Sequence, residues 1–514
     1  EIEAYIAEGR LSDAHQNLQH KPLSDEGASL NTQRRIANAW RSVGEPQKAA
    51  DIFQRLKLVA AKGVPSQDNA LIFRDSGRLA QLQGQPAAAQ DDFKHAMVAS
   101  GITPTLPADN DSYTLLTRNQ ATDDWLKRGV RSDAADLYRQ QDTRITLDHD
   151  YLRSSGTEGI SDLRAHNTML QVDTSLADGR AFFRTDTVQM DAGTFDKNTR
   201  YKAGTCYQTE NPCQTNLHQQ ATGTSVAMGW QNDSWQTDIG TTPMGFDVVD
   251  VVGGLAYSNS WNHIGWTATA SRRPISSSML AFAGAKDPNT NVTWGGVRAN
   301  GVSLGASYDR GEANGVWSDL SYHYLTGKNV ADNQRLRFMT GYYYKLINED
   351  NRRVTVGLNG MWWHYQKDLS GYTLGQGGYY SPQKYLSLAI PVNYRQRTDN
   401  WSWELGGSVS VSHSATSSRA RYPLQNLLNN SIQPIPDRYE PDDGGSSNGV
   451  GYTLRALIER RLSSHWTLGA GVDIQQAKDY TPSHALIYLR YSMAGWQGSL
   501  DMPPQPLVPY ADFK

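Results

Sequence analysis

The stretch Arg335-Leu-Arg-Phe-Met-Thr-Gly-Tyr-Tyr-Tyr-Lys345 decides the fold, because its side chains change character with a period of two. Its apolar and aromatic residues share one face of an extended segment, namely Leu336, Phe338, Tyr342 and Tyr344. Its opposite face carries Arg335, Arg337, Tyr343 and Lys345. This alternation predicts a β-strand that lies between an apolar and a polar environment.

The same period of two continues from Asp142 to Met493, where for example Trp466 and Leu468 alternate with Thr467. The pattern predicts about 16 strands in this region, a number typical of membrane barrels. Their expected positions are 142–152, 162–176, 180–190, 224–231, 234–242, 253–260, 263–270, 300–310, 315–325, 334–347, 352–365, 384–397, 400–412, 450–462, 465–476 and 484–492.

The connections between these strands alternate between short and long. The short turns are 177–179, 231–233, 259–262, 311–314, 348–351, 397–400 and 463–464, and the longer loops include 191–223, 271–300, 367–383 and 413–449. Outer-membrane barrels sort their connections in this way, with tight periplasmic turns and long external loops, whereas a soluble β-sandwich has no reason to. The sequence therefore predicts a transmembrane antiparallel β-barrel with both of its ends on the periplasmic side.

Composition and charge agree with this fold and exclude others. Only 38 % of the 514 residues are apolar, and no run approaches the roughly 18 apolar residues that a membrane-spanning helix needs. A β-barrel can cross a membrane without such an apolar run, because only every second residue of each strand faces lipid. The 49 Lys and Arg nearly balance the 52 Asp and Glu, and no basic block stands out, so we expect no nucleic-acid partner.

The first hundred residues are helical in pattern and repeat themselves. Gly9, Gly44 and Gly84 begin copies that are 35 and 40 residues apart. Small and aromatic residues recur at fixed distances from these glycines, in the middle copy as Ala37, Trp40, Ala49, Phe53 and Leu56. The pattern resembles tetratricopeptide repeats, which are helix–turn–helix units. Because the chain begins inside a copy, we expect it to be a piece of a longer array.

The predicted fold class is therefore α + β in two parts, a short tetratricopeptide solenoid followed by the barrel. We expect periplasmic repeat helices over residues 1–100, a linker with a short helix near Ala121 to Arg139 over 101–141, the barrel over 142–492, and a Pro-rich tail over 493–514.

The two cysteines, Cys206 and Cys213, lie in a polar stretch of a long external loop with the turn signal Asn211-Pro212 between them. Their spacing favours a local disulfide. Free thiols, or a metal site that includes His218, are the alternatives. We expect no metal ion and no cofactor, since the sequence carries no binding motif for either.

A barrel of this size encloses an aqueous lumen, so its polar strand positions are the candidate contacts of a transported molecule. These lumen candidates are Trp317, Asp319, His323, Arg335, Arg337, Tyr343, Arg353, Trp363, Tyr365, Glu404, Arg455, Glu459, Asp473, Tyr488 and Arg490. Charges of both signs and aromatic rings suit a neutral, polyhydroxylated ligand, whereas a polyanion would need a uniformly basic wall. Ion pairing across strands is the alternative role of the charged members.

The tail after the last strand is rich in proline and cannot join the sheet. It carries three aromatic residues, Trp496, Tyr510 and Phe513, which we consider candidates for a periplasmic gate or guide. A disordered end, or a peptide that docks a periplasmic partner, is the alternative.

The segment Gly378-Tyr-Tyr-Ser-Pro-Gln-Lys-Tyr-Leu-Ser-Leu-Ala-Ile-Pro-Val-Asn-Tyr394, followed by Trp401-Ser-Trp-Glu-Leu-Gly-Gly407, resembles the C-terminal part of the cellulose synthase operon protein C family. The resemblance implies an outer-membrane porin, one barrel per chain, that exports a cellulose chain in contact with outer-membrane lipid. It also implies repeats that reach cellulose synthase components, periplasmic or in the inner membrane, or peptidoglycan.

Other functions stay open at this point. The lumen could serve poly-N-acetylglucosamine or alginate instead of cellulose, and the charge of the lumen separates these cases. An enzyme is not expected, because no catalytic motif is present and the adjacent carboxylates Asp123-Asp124 and Asp442-Asp443 point apart. A barrel hydrolase would need a Ser and a His on its wall, for which Ser410, Ser412 and His413 are the candidates.

Overall fold

The computed structural model describes residues 1–20, 28–196, 199, 202–206, 218–432, 434–435, 437–477 and 481–514. The chain divides into two compact units. The helical unit comprises Glu1–Thr143 and Ser492–Ser499, and the barrel unit comprises Arg144–Tyr491 and Leu500–Lys514.

Helical hairpins build the first unit. Its helices are α1 (Ile2–Ala7), α2 (Leu11–His20), α3 (Leu30–Ser42), α4 (Pro46–Lys62), α5 (Gln67–Leu82), α6 (Pro86–Ala99), α7 (Asn110–Leu115) and α8 (Trp125–Gln141). The turns after α1, α3 and α5 contain Gly9, Gly44 and Gly84, whose φ angles of 75°, 85° and 70° lie in the region that favours glycine. The glycines that mark the repeat in the sequence therefore mark the reversal of each hairpin.

The core of this unit consists of the small and aromatic residues that the repeat pattern selects. Ala37, Ala49, Phe53 and Phe93 are fully or almost fully buried in one cluster. Helix α8 matches the short helix expected near Ala121 to Arg139, and it buries Leu126, Val130, Ala134 and Leu137 in the same cluster. Helix α7 was not predicted, because a six-residue helix shows too little periodicity to be recognised.

Sixteen long strands form one closed antiparallel sheet within the described residues. They are β1 (Arg144–Ser154), β2 (Leu163–Leu176), β3 (Gly179–Thr194), β4 (His218–Gln231), β5 (Trp235–Thr241), β6 (Val251–Trp261), β7 (Ile264–Pro274), β8 (Thr293–Tyr308), β9 (Asn314–Lys328), β10 (Val330–Asn348), β11 (Arg352–Tyr365), β12 (Lys384–Arg397), β13 (Trp401–Thr416), β14 (Gly445–Arg461), β15 (Trp466–Gln476) and β16 (Pro482–Ser492). Each strand pairs with its sequence neighbours, and β1 also pairs with β16. The predicted barrel and its strand number are confirmed.

The strand ends differ from the predicted ones mainly on the side of the long loops. Strand β8 begins at Thr293 instead of residue 300, and β14 begins at Gly445 instead of 450. One connection on this side is short, since Asn329 alone, at φ 50°, joins β9 to β10 where a longer loop was expected. Asparagine tolerates this left-handed conformation, so the two strands continue to the turn without an intervening loop.

The long loops carry structure of their own and cover the loop-side end of the barrel. The short helix α9 (Met279–Ala283) lies between β7 and β8. Loop residues Leu280, Leu369 and Tyr379 share one apolar cluster with Leu325 and Tyr365, whose side chains come from strands. This group, the loop core, is large and buried, so these loops fold onto the barrel and not away from it.

None of the helices in the described parts of the chain is long and apolar enough to cross a membrane.

Candidate functional site on the inner face of the barrel

Side chains of a closed sheet alternate between an outer and an inner face. On one set of positions large apolar side chains are exposed, among them Leu147, Leu170, Phe183, Val226, Leu255, Val302, Leu304, Leu320, Leu358, Leu388, Ile390, Val409, Leu454, Val472 and Ile487. All fifteen lumen candidates occupy the alternate positions of their strands, as the strand register shows. They therefore lie on the inner face of the barrel, opposite the apolar outer surface.

Burial divides these candidates into two groups. The buried ones, at most 9 % exposed, are His323, Arg335, Tyr365, Glu404, Glu459 and Tyr488. The partly or fully exposed ones are Trp317, Asp319, Arg337, Tyr343, Arg353, Trp363, Arg455, Asp473 and Arg490. The second group is the more accessible part of the inner face, and contact of the fifteen residues with a transported molecule stays a prediction. The alternation of side chains assigns each residue to one face of the sheet, but it does not show which other residues cover that position.

Two buried carboxylates hold ion pairs across the inner face. Glu404 accepts hydrogen bonds from Arg395 Nε at 3.0 Å and lies 3.1 Å from Arg455 Nε. Glu459 accepts from the Tyr488 hydroxyl at 2.7 Å and from Arg490 Nη1 at 3.2 Å. These side chains satisfy one another, which is the pairing role considered above for the charged candidates.

The inner face of β8–β11, which we call the aromatic wall, carries rings and a guanidinium group. The Trp317 indole lies close to Gly341 of the next strand, where a Cβ atom would come within 2.3 Å of the indole nitrogen. The Trp363 ring contacts the ring of Tyr385 on the neighbouring β12 at 4.8 Å between centroids and is tilted by 30° to it, and the Arg337 guanidinium lies 5.7 Å from the Trp363 ring. Aromatic rings on the inner face offer surface on which sugar rings can stack.

At the short-turn end of this wall, Tyr343 is fixed by the turn between β8 and β9. Its hydroxyl donates to Asp309 Oδ2 at 2.6 Å, and the Gly311 N–H donates to Asp309 Oδ1 at 2.7 Å. These hydrogen bonds, the first one above all, lower the pKa of Asp309. The ring of Tyr343 is therefore oriented by a charged turn residue.

The second part of the tail, Leu500–Lys514, belongs to the barrel unit and lies against the inner face. It begins at the short-turn end, where Arg397 donates to Leu500 O at 2.7 Å. Farther along, the Leu507 N–H donates to Asp148 Oδ2 at 3.0 Å, and the Tyr510 N–H donates to Asp186 Oδ2 at 2.8 Å.

The end of the tail is held by aromatic and charged contacts. The Tyr510 hydroxyl donates to Asp238 Oδ2 at 2.7 Å, and Tyr510 is only 2 % exposed. Phe513 contacts the Tyr510 ring at 5.0 Å between centroids and lies 5.2 Å from the Arg184 guanidinium. Two of the three gate candidates therefore sit together inside the barrel unit.

The third gate candidate lies elsewhere. Trp496 belongs to the helical unit, where it stacks on Tyr138 at 4.7 Å and donates from Nε1 to Ser499 O at 3.0 Å. The Arg139 guanidinium lies 5.4 Å from its ring. Trp496 thus packs against α8 and takes no part in the group around Tyr510.

Sequence reasoning missed the residues that hold the tail. None of Asp148, Arg184, Asp186, Asp238 and Arg273 was a candidate, although all lie on polar positions of β1, β3, β5 and β7. The sequence alternation predicts that these five residues lie on the inner face. It does not predict their partners, since the segment that they bind lies hundreds of residues later in the chain.

The candidates for enzyme chemistry are not brought together. Strand alternation places Ser410 and Ser412 on the inner face of β13 and His413 on the outer face, where its Nδ1 lies 2.6 Å from Asn448 Oδ1. Asp123 pairs with Arg131 at 2.7 Å, while its neighbour Asp124 caps the N-terminus of α8. His413, Asp123 and Asp124 therefore each have a structural partner of their own.

No group of three or more metal-ligating side chains is found in the described residues. Of the predicted disulfide pair, Cys206 is disulfide-bonded, whereas Cys213 lies outside the described residues. The pairing of Cys206 with Cys213 stays a prediction.

Comparison with known proteins gives a family. A family model described as cellulose synthase operon protein C C-terminus matches residues 161–494. Cellulose synthase operon protein C of Escherichia coli strain K12 is 59 % identical over 517 residues, which cover 99 % of this chain and 44 % of that protein. The protein of the same name from Salmonella typhimurium strain LT2 is 60 % identical over 491 residues, which cover 94 % of this chain and 41 % of that protein.

Among solved structures, a loop deletion mutant of OmpT, an outer membrane protein of Vibrio cholerae, matches 68 % of this chain and 98 % of its own, at 9 % identity and a TM-score of 0.31. The chain spans less than half the length of the curated relatives that it matches. On the strength of the family model and of these two relatives, the chain belongs to the cellulose synthase operon protein C family and corresponds to its C-terminal region.

Proposed function

We propose that the chain is an outer-membrane channel that passes a β-1,4-glucan chain from the periplasm through the barrel lumen to the cell surface. The observation that carries the proposal is a closed barrel with an apolar outer face and an inner face of both charge signs and aromatic rings. Such an inner face suits a neutral sugar polymer, because rings stack on C–H faces and polar groups bind hydroxyls.

The position of the tail supports one particular path through the lumen. Within the described residues, hydrogen bonds of Leu500–Lys514 reach β12, β13, β16, β1, β3, β5 and β7, and none reaches β8–β11. The tail thus makes its hydrogen bonds with one side of the barrel and with none of the strands of the aromatic wall. The path of the glucan accordingly runs along Trp317, Arg337, Tyr343 and Trp363.

The tail itself acts as a gate in this proposal. Its residues Tyr510 and Phe513 fill space inside the barrel, and they are held by side chains and not by a strand ladder. A segment held in this way leaves its place at lower free-energy cost than a barrel strand does.

The remaining parts of the proposal concern the surroundings. The outer face contacts outer-membrane lipid, and the helical repeats stand in the periplasm, where they contact cellulose synthase components or peptidoglycan. The chain is not an enzyme in this reading, and it needs no cofactor.

Single-channel conductance of the full chain in planar bilayers tests the path. We expect cellohexaose to block the current, and we expect Trp317→Ala and Trp363→Ala each to raise the concentration for half block at least fivefold, since each removes a stacking surface. Trp362→Ala is the matched control, because this tryptophan lies on the outer face one residue from Trp363. Equal block in all four proteins would contradict the path, and stronger block by chitohexaose or by alginate oligomers would favour another polysaccharide.

A further inference from the structure

The apolar band on the outer face of the barrel does not have the same height on every strand. A tilted transmembrane strand needs roughly 9–11 residues to cross the hydrocarbon layer, so about five of its side chains face lipid. Strand β12 meets this requirement with Leu386, Leu388, Ile390, Val392 and Tyr394. Strand β4 has Val226, Met228 and Trp230 on this face, and the side chains beyond them are polar. The apolar band is therefore lower on the side of β4.

Polar side chains occupy the loop-side part of the outer face on β1–β4. They take the same alternate positions as the exposed Leu147, Leu170, Phe183 and Val226, which lie nearer the short turns. We call this area the polar patch, and it comprises His149, Tyr151, Arg153, Arg164, His166, Thr168, Thr187, Gln189, Asp191, His218, Gln220, Thr222 and Thr224. Polar groups in contact with acyl chains cost free energy, so a surface that is polar above and apolar below fits an amphiphilic molecule.

Hydrogen bonds connect the imidazole groups in the middle of the patch. His149 Nε2 lies 3.0 Å from His166 Nδ1, and His149 Nδ1 lies 3.0 Å from Thr168 Oγ1. The Tyr151 ring packs on the His166 ring at 4.8 Å between centroids. His166 is exposed, and its Nε2 makes no hydrogen bond with the described residues. The imidazole ring of His166 is thus oriented while its second nitrogen stays available.

Two arginines of the patch are direct neighbours across β1 and β2, namely Arg153 and Arg164. Like charges at such positions repel each other, and an anion between them removes the repulsion. Arg153 is held by Asp162, whose Oδ1 lies 2.7 Å from its Nη1, whereas the exposed Arg164 makes no hydrogen bond or ion pair with the described residues. Asp191, the neighbour of Arg164 on β3, pairs with His218 at 3.0 Å instead. Arg164 is therefore a cation that an anion from outside the chain can reach.

We propose that the polar patch binds the phosphate-bearing headgroup of a glycolipid in the loop-side leaflet of the membrane. The phosphate accepts from the Arg164 guanidinium beside Arg153, His166 Nε2 donates to the headgroup, and the acyl chains lie on the apolar surface around Leu147 and Leu170. The charge of Arg164 selects an anion, and the many hydroxyl and amide groups of the patch suit the hydroxyls of a sugar. This inference goes beyond the export of a glucan, because it concerns only the outer face of the barrel.

Binding of bisphosphorylated lipid A to the full chain in dodecyl maltoside, measured by titration with native mass spectrometry, tests the site. We expect Arg164→Gln to weaken binding about tenfold, because a charge-assisted hydrogen bond is lost. His166→Leu, which removes the free nitrogen and keeps an apolar side chain on the outer face, should also weaken binding. Arg460→Gln is the matched control, since Arg460 lies on the outer face at the short-turn end of β14. Unchanged mobility of the unheated barrel on SDS gels verifies that each variant is folded.

The outcomes separate specific binding from a general attraction of anionic lipids. Equal affinity of the parent, Arg164→Gln and His166→Leu would overturn the inference, and so would an equal loss in Arg460→Gln. Equal binding of phosphatidylglycerol would overturn the choice of a glycolipid, and equal binding of dephosphorylated lipid A would overturn the role of the phosphate. Failure here is distinct from failure of the export proposal, because block of the current by cellohexaose depends on Trp317 and Trp363 and not on Arg164.

Discussion

At the scale of single residues, a buried carboxylate in each unit, Glu459 and Asp92, is held by specific partners. Glu459 is 2 % exposed and carries two donors, Tyr488 and Arg490. Asp92 is 4 % exposed in the helical unit and accepts from the Ser76 hydroxyl at 2.7 Å and from Lys57 Nζ at 3.1 Å. A substitution at such a residue lowers the stability of the protein mainly because it leaves a buried hydrogen-bonding partner unsatisfied.

Replacement of Glu459 by Gln should destabilise the barrel. The carboxylate would lose its charge while Arg490 stays in place, so the free energy of unfolding should fall by about 1–3 kcal/mol. Urea titration of the barrel, followed by tryptophan fluorescence, measures the change. Glu349→Gln is the control, because Glu349 is an exposed turn residue whose nearest ion-pair distance, to Arg352, is 3.8 Å. Equal midpoints for the two variants would refute the buried pairing.

Asp92 should make the helical unit less stable as the pH rises. Burial raises its pKa above the ordinary value of 3.8, although the bonds from Ser76 and Lys57 oppose this. A carboxyl group with a raised pKa in the folded state contributes stability below its unfolded pKa, and it loses that contribution as the pH rises through the folded pKa.

Circular dichroism at several pH values above 4 tests this effect. Asp92→Asn should flatten the pH dependence of the helical melting temperature in that range, because Asn does not ionise, although its single amide oxygen replaces only one of the two carboxylate acceptors. Asp91→Asn, at the exposed neighbouring position, should leave the dependence as in the parent chain. A slope unchanged by Asp92→Asn would contradict the assignment.

At the scale of elements, the tail differs from every barrel strand in how it is held. Strands are bound by ladders that run along their whole length, whereas Leu500–Lys514 is bound at separate points by side chains such as Arg184, Asp148 and Asp186. An element with few backbone bonds and several proline residues opens independently of the sheet. In the proposed function, this difference makes the tail the element that moves.

Deletion of Leu500–Lys514 should raise the single-channel conductance, because the segment occupies part of the lumen. The truncation leaves Trp496 and its contacts in the helical unit intact, so it isolates the part of the tail that lies in the barrel. Val508→Ala serves as the control, since this exposed tail residue contacts Arg184 through its backbone carbonyl and loses little volume on substitution. A current that the deletion leaves unchanged would refute the gate.

At the scale of the whole molecule, two units with different kinds of core make up the chain. The helical unit is stabilised by a buried apolar cluster around Phe53 and Phe93. The barrel is stabilised by a closed ladder of hydrogen bonds, in which each of the sixteen long strands in the described part of the chain is paired on both sides. Because the two units are stabilised in different ways, we expect that the helical unit can unfold while the barrel stays folded.

The two units should therefore unfold in separate transitions. We expect the helical signal at 222 nm to disappear at a lower temperature than the one at which the barrel loses its compact mobility on SDS gels, since closed barrels resist heat and detergent strongly. Phe53→Ala should lower the first transition and leave the second in place, because Phe53 is buried in the helical cluster alone. A single transition for both probes would contradict this division.

The sequence by itself determined the fold class, the repeat and the strand number, because these depend on local periodicity. A period of two sets which side chains of β10 face inward, and Gly44 marks a hairpin turn whatever lies around it. The inner-face position of all fifteen lumen candidates follows from the same alternation.

Only the tertiary structure decided which of those positions are open. Tyr365 is buried by the loop core. Trp496 packs against Tyr138 of α8 and not against the other aromatic residues of the tail. Asp148 and Asp186 hold a segment more than 300 residues later in the chain. Contacts between distant segments depend on the closure of the barrel and on the path of its loops, and no local period encodes either.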